Sequence, residues 1–177
     1  MNDNEQNTLM ELINNKKNGL GYDWKLIYRA SKDGWLAKDF HNKCDNKDKT
    51  LSIIHTKTNN IFGGYTKIPW KTLISSRYIK DDTAFLYLLR SSKSYSPQIF
   101  LIKDDPLDQD TAVYHSKDYM CTYGAGHDIK ISSECNENAT SYVYGSRYKV
   151  PRHIAPYYLN GGSEYFKVKE LEVFQLQ

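Results

Sequence analysis

Apolar residues in this chain alternate more often than they recur every third or fourth position, so the pattern predicts many strands and few short helices. From Trp24 to Arg29, Trp24, Leu26 and Tyr28 take one phase and Lys25, Ile27 and Arg29 the other, as in a strand with one buried face. The period then changes. Leu36, Phe40 and Cys44 recur every fourth residue with Ala37 beside them, which predicts a short amphipathic helix that turns Lys38, Asp39 and Lys43 outward. The Ser31-Lys32-Asp33-Gly34 turn joins the two. Asp33 is placed there to accept hydrogen bonds from the first free N–H groups of the helix, and Gly34 relaxes the turn sterically.

Residues 1–7 are polar and predict an unstructured tail. Thr8-Leu9-Met10-Glu11 then has the spacing of a capping box for a helix that stops near Asn18-Gly19. Residues 51–56 and 61–66 flank Thr58-Asn59-Asn60 and predict a hairpin. Further strands are expected at 84–89, 98–102, 112–115, 128–132 and 142–144, with surface connections at 103–106 and 151–162. In the last segment, 164–176, Phe166 and Val168 share one phase while Leu171 and Val173 take the other. That slip predicts a β-bulge near Lys169-Glu170, or a strand whose two ends face different partners. Many short strands with few helices give the fold class: α+β but mostly β, a two-sheet antiparallel β-sandwich with short flanking helices. Residues 1–20 form a polar tail and short N-terminal helix, and residues 21–177 form the domain proper.

A length of 177 residues fits one domain with its own core. The net charge of +3, from 24 basic and 21 acidic residues that are well mixed, is too weak by itself to imply a nucleic-acid protein, since such domains usually show a clustered basic face. Cys44, Cys121 and Cys135 lie far apart without a C-x-x-C pair, which suggests a reducing compartment. The start has neither a basic n-region nor an apolar h-region, and no run approaches the ~20 apolar residues that span a bilayer. The expectation is a cytoplasmic protein without membrane insertion, with the nucleus as the alternative, so the Asn138-Ala139-Thr140 sequon reads as accidental. Fifteen tyrosines suit a sandwich, where each ring packs in the core or at the rim with its hydroxyl reaching a partner.

Several blocks in order resemble one family, the TLDc domains. They are W-K-L-I-Y-R-A-S-K-D-G-W-L-A-K-D-F-H-N-K-C-D (24–45), T-L-S-I-I-H-T (50–56), N-I-F-G-G-Y-T (60–66), I-P-W (68–70), D-T-A-F-L-Y-L-L (82–89), A-V-Y-H (112–115), Y-G-A-G-H-D-I-K-I-S (123–132) and Y-F-K-V-K-E-L-E-V-F (165–174). The resemblance covers about Gly21 to Gln177. It implies a two-sheet sandwich, a link to oxidative-stress protection, and protein partners such as the vacuolar-type proton-pumping ATPase. It implies no settled catalytic mechanism. Ala125 stands in a loop that is often all glycine in relatives, and Phe174 stands where Trp is frequent.

Asp33, Asp39, Asp128, Glu170 and Glu172 match acidic positions of that family. They read either as a surface group docking a partner, or as helix caps, turn formers and strand-edge charges; acid–base catalysis is the third alternative. Gly63, Gly64, Gly124 and Gly126 mark bulges or close backbone approach and Gly145 a turn or strand end, and all five join the partner-binding candidates. No G-x-G-x-x-G, G-K-[ST] or G-x-S-x-G occurs, so neither nucleotide, cofactor nor hydrolase chemistry is expected. His41 and Cys44 make only one ligand pair, to which His127-Asp128 could add, short of the paired motifs of a zinc site, which leaves Cys44 a core residue and His41 a helix-surface one. Arg77, Lys80, Arg90, Lys93, Arg147, Lys149 and Arg152 could form a nucleic-acid face if their loops converge. The leading expectation is a monomeric, non-enzymatic binding module in the stress response. A nucleic-acid-binding stress regulator and an enzyme built on Asp39, Glu170 or Glu172 are the alternatives.

Overall fold

The fold comes from a computed structural model that describes residues 1–16, 23–151, 153–155 and 157–177. Two six-stranded sheets face each other, and every neighbouring pair of strands in them is antiparallel. The first is built, in spatial order, from β1 (Trp24–Arg29), β12 (Val168–Leu176), β2 (Thr50–Thr56), β3 (Ile61–Thr66), β5 (Phe85–Arg90) and β6 (Gln98–Leu101). The second is built from β11 (Tyr165–Phe166), β10 (Ser141–Tyr142), β9 (Ile129–Ser132), β8 (Tyr119–Tyr123), β7 (Val113–His115) and β4 (Arg77–Ile79). The main core lies between them, with Phe62, Leu86, Leu88 and Phe100 of the first sheet in one cluster with Met120, Tyr123, Ile129 and Ile131 of the second. This is the mostly-β sandwich that the sequence pattern predicts.

The first sheet is also buried on its outer face. There α1 (Asp3–Lys16) sets Leu9 and Ile13 on Leu51, Ile53, Phe85, Tyr87 and Leu89. Both faces of β5 are therefore covered, which is why Phe85 to Leu89 reads as an unbroken apolar run. The helix starts earlier than the Thr8-x-x-Glu11 spacing suggests. Its capping box is Asn2/Glu5: the Glu5 amide donates to Asn2 Oδ1 at 2.9 Å, and the Asn2 amide to Glu5 Oε2 at 3.0 Å. Glu5 is further held by Arg90 of β5 at 2.6 Å, so residues expected to be an unstructured tail form the first helical turn. The expected stop at Asn18-Gly19 lies outside the described residues.

Two bulges set the phase of the edge strands. In β12 the register passes from Val168 opposite Thr56 to Glu170 opposite His55, leaving Lys169 extra. The bulge expected near Lys169-Glu170 is present, and it lets Val168, Leu171 and Val173 all enter the core. A second bulge, at Ile27 in β1, is not visible in that strand's perfect alternation. It sends Tyr28 into the inter-sheet core while Trp24 packs against the outer cluster and Leu26 stays 38% exposed. Trp24, Leu26 and Tyr28 thus do not share one buried face.

Short helices close the ends of the sandwich: α2 (Ala30–Asp33), α3 (Ala37–Cys44) and α4 (Pro106–Asp110). The last stands where a plain loop was expected, because Pro106 opens it and Asp105 accepts from the Leu107 amide at 2.8 Å. In α3, Ala37, Phe40 and Cys44 are buried as predicted, whereas Leu36 is the half-exposed N-cap. His41 is not on the helix surface. Its Nδ1 lies 2.7 Å from Asp45 Oδ1, and its Nε2 lies 2.8 Å and 3.0 Å from the carbonyls of Ser116 and Tyr119, tying α3 to the β7–β8 connection.

Candidate functional site

Four of the candidate carboxylates converge around α2, because the bulged start of β12 runs beside the β1–α2 junction. Asp33 Oδ2 accepts from the Arg29 amide at 2.9 Å and Oδ1 pairs with Lys43 at 3.1 Å, so Asp33 caps α2 and not α3. The Arg29 amide, then the Lys43 ammonium, hold its carboxyl below the usual range. Asp39 folds back to accept from the Leu36 amide at 3.0 Å, the half of a capping box open to a residue whose N-cap side chain has no acceptor. Its carboxylate fills the space a Cβ would need at Gly34, whose φ is 115°. Glu170 accepts from both the amide and the hydroxyl of Ser31. Glu172 takes Arg29 through Nε at 2.9 Å and Nη2 at 2.6 Å, a two-pronged contact that raises the guanidinium further. Each of the four already has internal donors.

The fifth carboxylate belongs to a different corner. Asp128 is 3% exposed, and its Oδ2 accepts from the Arg147 amide at 2.9 Å. A Cβ on Gly124 would overlap that same oxygen, and one on Gly145 would overlap the Asp128 amide nitrogen. Gly124, Asp128 and Gly145 therefore form one latch between the β8–β9 turn and the segment after β10. Gly126 stands in the same turn with φ 76°.

Gly63 and Gly64 are buried in β3, where they open gaps on opposite faces. Tyr87 passes over Gly63 to donate to the Ser52 carbonyl at 2.9 Å, and Tyr123 of the second sheet packs on Gly64 and donates to its carbonyl at 2.9 Å. A buried phenol needs a partner, and both find one only because β3 lacks side chains there.

The thiols are enclosed as well. Cys44, Cys121 and Cys135 are fully buried, and burial pushes the latter two up to about 12 and Cys44 higher still. His41 has both nitrogens engaged, and no cluster of three or more His, Cys, Asp or Glu able to hold a metal exists among the described residues. The candidate basic loops are largely neutralised: Lys80 pairs with Asp110 at 2.8 Å, Arg90 with Glu5 at 2.6 Å, Arg147 with Asp108 at 2.8 Å and Lys149 with Asp104 at 2.7 Å. Arg152 lies outside the described residues.

Two surfaces were not assembled from the sequence. A groove of about 470 Å³ opens between α1 and β1, lined by Met10, Trp24, Leu26 and Phe174, with the Arg29–Glu172 pair also on its wall. Phe174, the departure from a frequent Trp, is thus a groove residue. The other surface is a row of tyrosines on the outer face of the second sheet. Its signal is local and faint, a single outward polar aromatic between inward buried residues, as in Val113-Tyr114-His115.

A two-sheet sandwich whose marked carboxylates and glycines are locked into internal contacts is a rigid scaffold, with its open surface elsewhere. The chain belongs to the TLDc domain family: the family model matches residues 1–177. The family is related to oxidative stress. No curated protein matches the chain. No helix among the described residues is long and apolar enough to cross a membrane.

Proposed function

We propose that this chain is a non-enzymatic protein-binding module of the oxidative-stress response, a monomer acting in the cytoplasm through partners such as the vacuolar-type proton-pumping ATPase. The observation that carries this reading is the engagement of the candidate groups: Asp33, Asp39, Asp128, Glu170 and Glu172 each accept from internal donors. Acid–base work needs carboxyls free to reach a substrate proton, and peroxide chemistry needs an exposed, low-pKa thiol. Neither is supported by these geometries. A sandwich braced by such contacts instead presents its surface with little reorganisation, which favours partner binding.

The nucleic-acid alternative loses support from the ion pairs at Lys80, Arg90, Arg147 and Lys149, since phosphates would have to displace carboxylates already in place. The test is to mix the purified protein with the purified vacuolar-type ATPase and follow co-sedimentation and release of the soluble sector. Saturable binding with a Kd of about 1 μM or tighter is expected, corresponding to roughly −8 kcal/mol. Sedimentation of the protein apart from the pump at tens of micromolar would remove the pump as partner.

A further inference from the structure

The outer faces of the two sheets are treated differently. On the first, α1 covers an aromatic surface that includes Tyr65, Phe85 and Tyr87, using an apolar stripe, Leu9 and Ile13, and one carboxylate, Glu5, set on Arg90 of the sheet. On the second, no helix covers the outer face among the described residues. The helix that meets this sheet, α3, reaches β8 from the core side, with Phe40 and Cys44 in the same cluster as Met120 and Cys121.

Across that open face runs a row drawn from all six strands: Tyr165, Tyr142, Lys130, Thr122, Tyr114 and Tyr78. Pairing sets Tyr165 opposite Tyr142, Tyr142 opposite Lys130, Lys130 opposite Thr122, and Tyr114 opposite Tyr78. Tyr119 joins from the start of β8. His127 folds back from the β8–β9 turn into the middle, its ring centre 4.9 Å from Tyr114, 6.0 Å from Tyr142, 6.2 Å from Tyr119 and 6.3 Å from Tyr78. The rings brace one another, and Thr122 is wholly buried beneath them. Tyr78 and Tyr165 remain 39% and 56% exposed. Braced tyrosines offer a large amphipathic contact area at low entropic cost, the property that concentrates them at protein interfaces.

One charge lies within the row. Lys130 Nζ sits 4.7 Å from the Tyr119 ring centre and 4.4 Å from that of Tyr142, and it makes no ion pair among the described residues. Burial also lowers its ammonium, as expected for a cation held partly out of water. The face therefore resembles what α1 covers on the other sheet: aromatic surface with one cation wanting a carboxylate.

We infer that the tyrosine face of the second sheet docks an amphipathic helix of a partner protein, whose apolar stripe lies on the rings and carries one carboxylate opposite Lys130. The inference rests on the protein-binding reading above and adds to it the surface and the chemistry of the partner. Single-stranded nucleic acid fits less well, because a tracked backbone needs several cations and the row supplies one. A second copy of the chain fits less well too, since the row itself holds no carboxylate and Glu164 at its edge is already engaged by the Tyr157 and Tyr165 hydroxyls.

The test selects from a displayed library of 20-residue amphipathic helices against the purified full-length protein, then measures the enriched peptide by fluorescence anisotropy. Enriched peptides are expected to carry one Glu or Asp within the apolar stripe. Tyr114→Ala and Tyr142→Ala should each weaken binding about thirtyfold, as central aromatic anchors do. Tyr142→Phe should restore most of the loss. Lys130→Met should weaken binding about tenfold, and amidating the peptide's carboxylate should then cost nothing more. Leu107→Ser, on the exposed side of α4, should change nothing. Tyr142→Phe and Leu107→Ser should melt with the parent, while Tyr114→Ala and Tyr142→Ala, which remove half-buried bracing rings, should melt somewhat lower yet stay folded at the temperature of the binding assay.

The inference is overturned if no peptide enriches, if enriched peptides lack the carboxylate, or if their binding ignores both tyrosine replacements, as for a peptide held in the α1–β1 groove. It is equally overturned if these replacements abolish binding of fluorescein-labelled 15-nucleotide oligouridine, or of a second copy in sedimentation, in place of peptide. Pump binding that survives both tyrosine replacements would overturn this face and leave the pump reading standing. Tyrosine-dependent peptide binding without any pump binding would do the reverse.

Discussion

Replacing Gly63 by alanine is expected to cost at least about 4 kcal/mol, which removes most of the stability of an ordinary domain. The backbone of Gly63 is regular, so the cost does not arise from conformational strain. It arises from space: a Cβ there would overlap the Ser52 carbonyl oxygen and would sit 2.7 Å from the Tyr87 hydroxyl. Both contacts belong to the β2–β3–β5 centre of the first sheet, where Gly63 pairs with Ile53 on one side and Tyr87 on the other. Relief would require separating β2 from β3 or expelling Tyr87, whose phenol would lose its acceptor. Gly162→Ala is the informative comparison. At Gly162 a Cβ would meet nothing within 4 Å, so only the φ of 91° opposes it, at about 1 kcal/mol. Urea midpoints of the two variants should differ several-fold in their shift, and equal shifts would show that β3 tolerates a side chain at Gly63.

Acidification should destabilise the protein through His115. This ring is 2% exposed, packs beside Trp70 with centres 5.6 Å apart, and has neither nitrogen hydrogen-bonded. Burial pushes it down from 6.5 to about 4, against the opposing pull of Asp45. A base whose folded value is depressed is neutral when folded and takes its proton first in the unfolded chain. Its stabilising contribution is therefore complete above pH 6.5 and is lost progressively as the pH falls toward 4. The loss from His115 alone amounts to about 2 kcal/mol by pH 5. His127 and His55 are lowered in the same direction, chiefly by burial, and add to the slope. His115→Phe should keep the ring contact with Trp70, lose no hydrogen bond, and flatten the fall of the urea midpoint between pH 7.5 and pH 5. An unchanged slope in that variant would show that His115 does not carry the acid sensitivity.

The parts of the fold legible in the sequence are those fixed by short-range pattern. The phase slip at Lys169-Glu170 is a period-two fact within one strand, and the bulge sits there. The turn at Gly34 and the apolar stripe of α3 are likewise local. What was not legible depends on partners distant in the chain. The bulge at Ile27 follows from pairing β1 with β12, and nothing in Trp24 to Arg29 betrays it. His41 is drawn into the interior by carbonyls 75 and 78 residues away. Strands β4 and β8 carry no clear sequence signal because Arg77–Ile79 is only three residues long and Tyr119–Tyr123 mixes Met, Cys and Thr without clean alternation.

The same distinction separates the two kinds of candidate residue. Asp33, Asp39, Asp128, Glu170 and Glu172 could be named from the chain, but their donors could not, and the donors give them their structural work. Conversely, Tyr78, Tyr114, Tyr119, Tyr142 and Tyr165 come from five strands, and only the strand order sets them side by side. In this chain the carboxylates and glycines that mark the family build the scaffold, whereas the open aromatic face takes Tyr114, His127, Lys130 and Tyr165 from separate family blocks and Tyr78, Tyr119 and Tyr142 from outside them.

That scaffold is proposed to act by binding and not by chemistry, and peroxide consumption by the purified protein tests the point most directly. With Cys44, Cys121 and Cys135 all buried and their thiols pushed up, hydrogen peroxide at pH 7.4 should disappear no faster with the protein than in buffer. Catalytic turnover of peroxide that vanishes when the three cysteines are replaced together would contradict it.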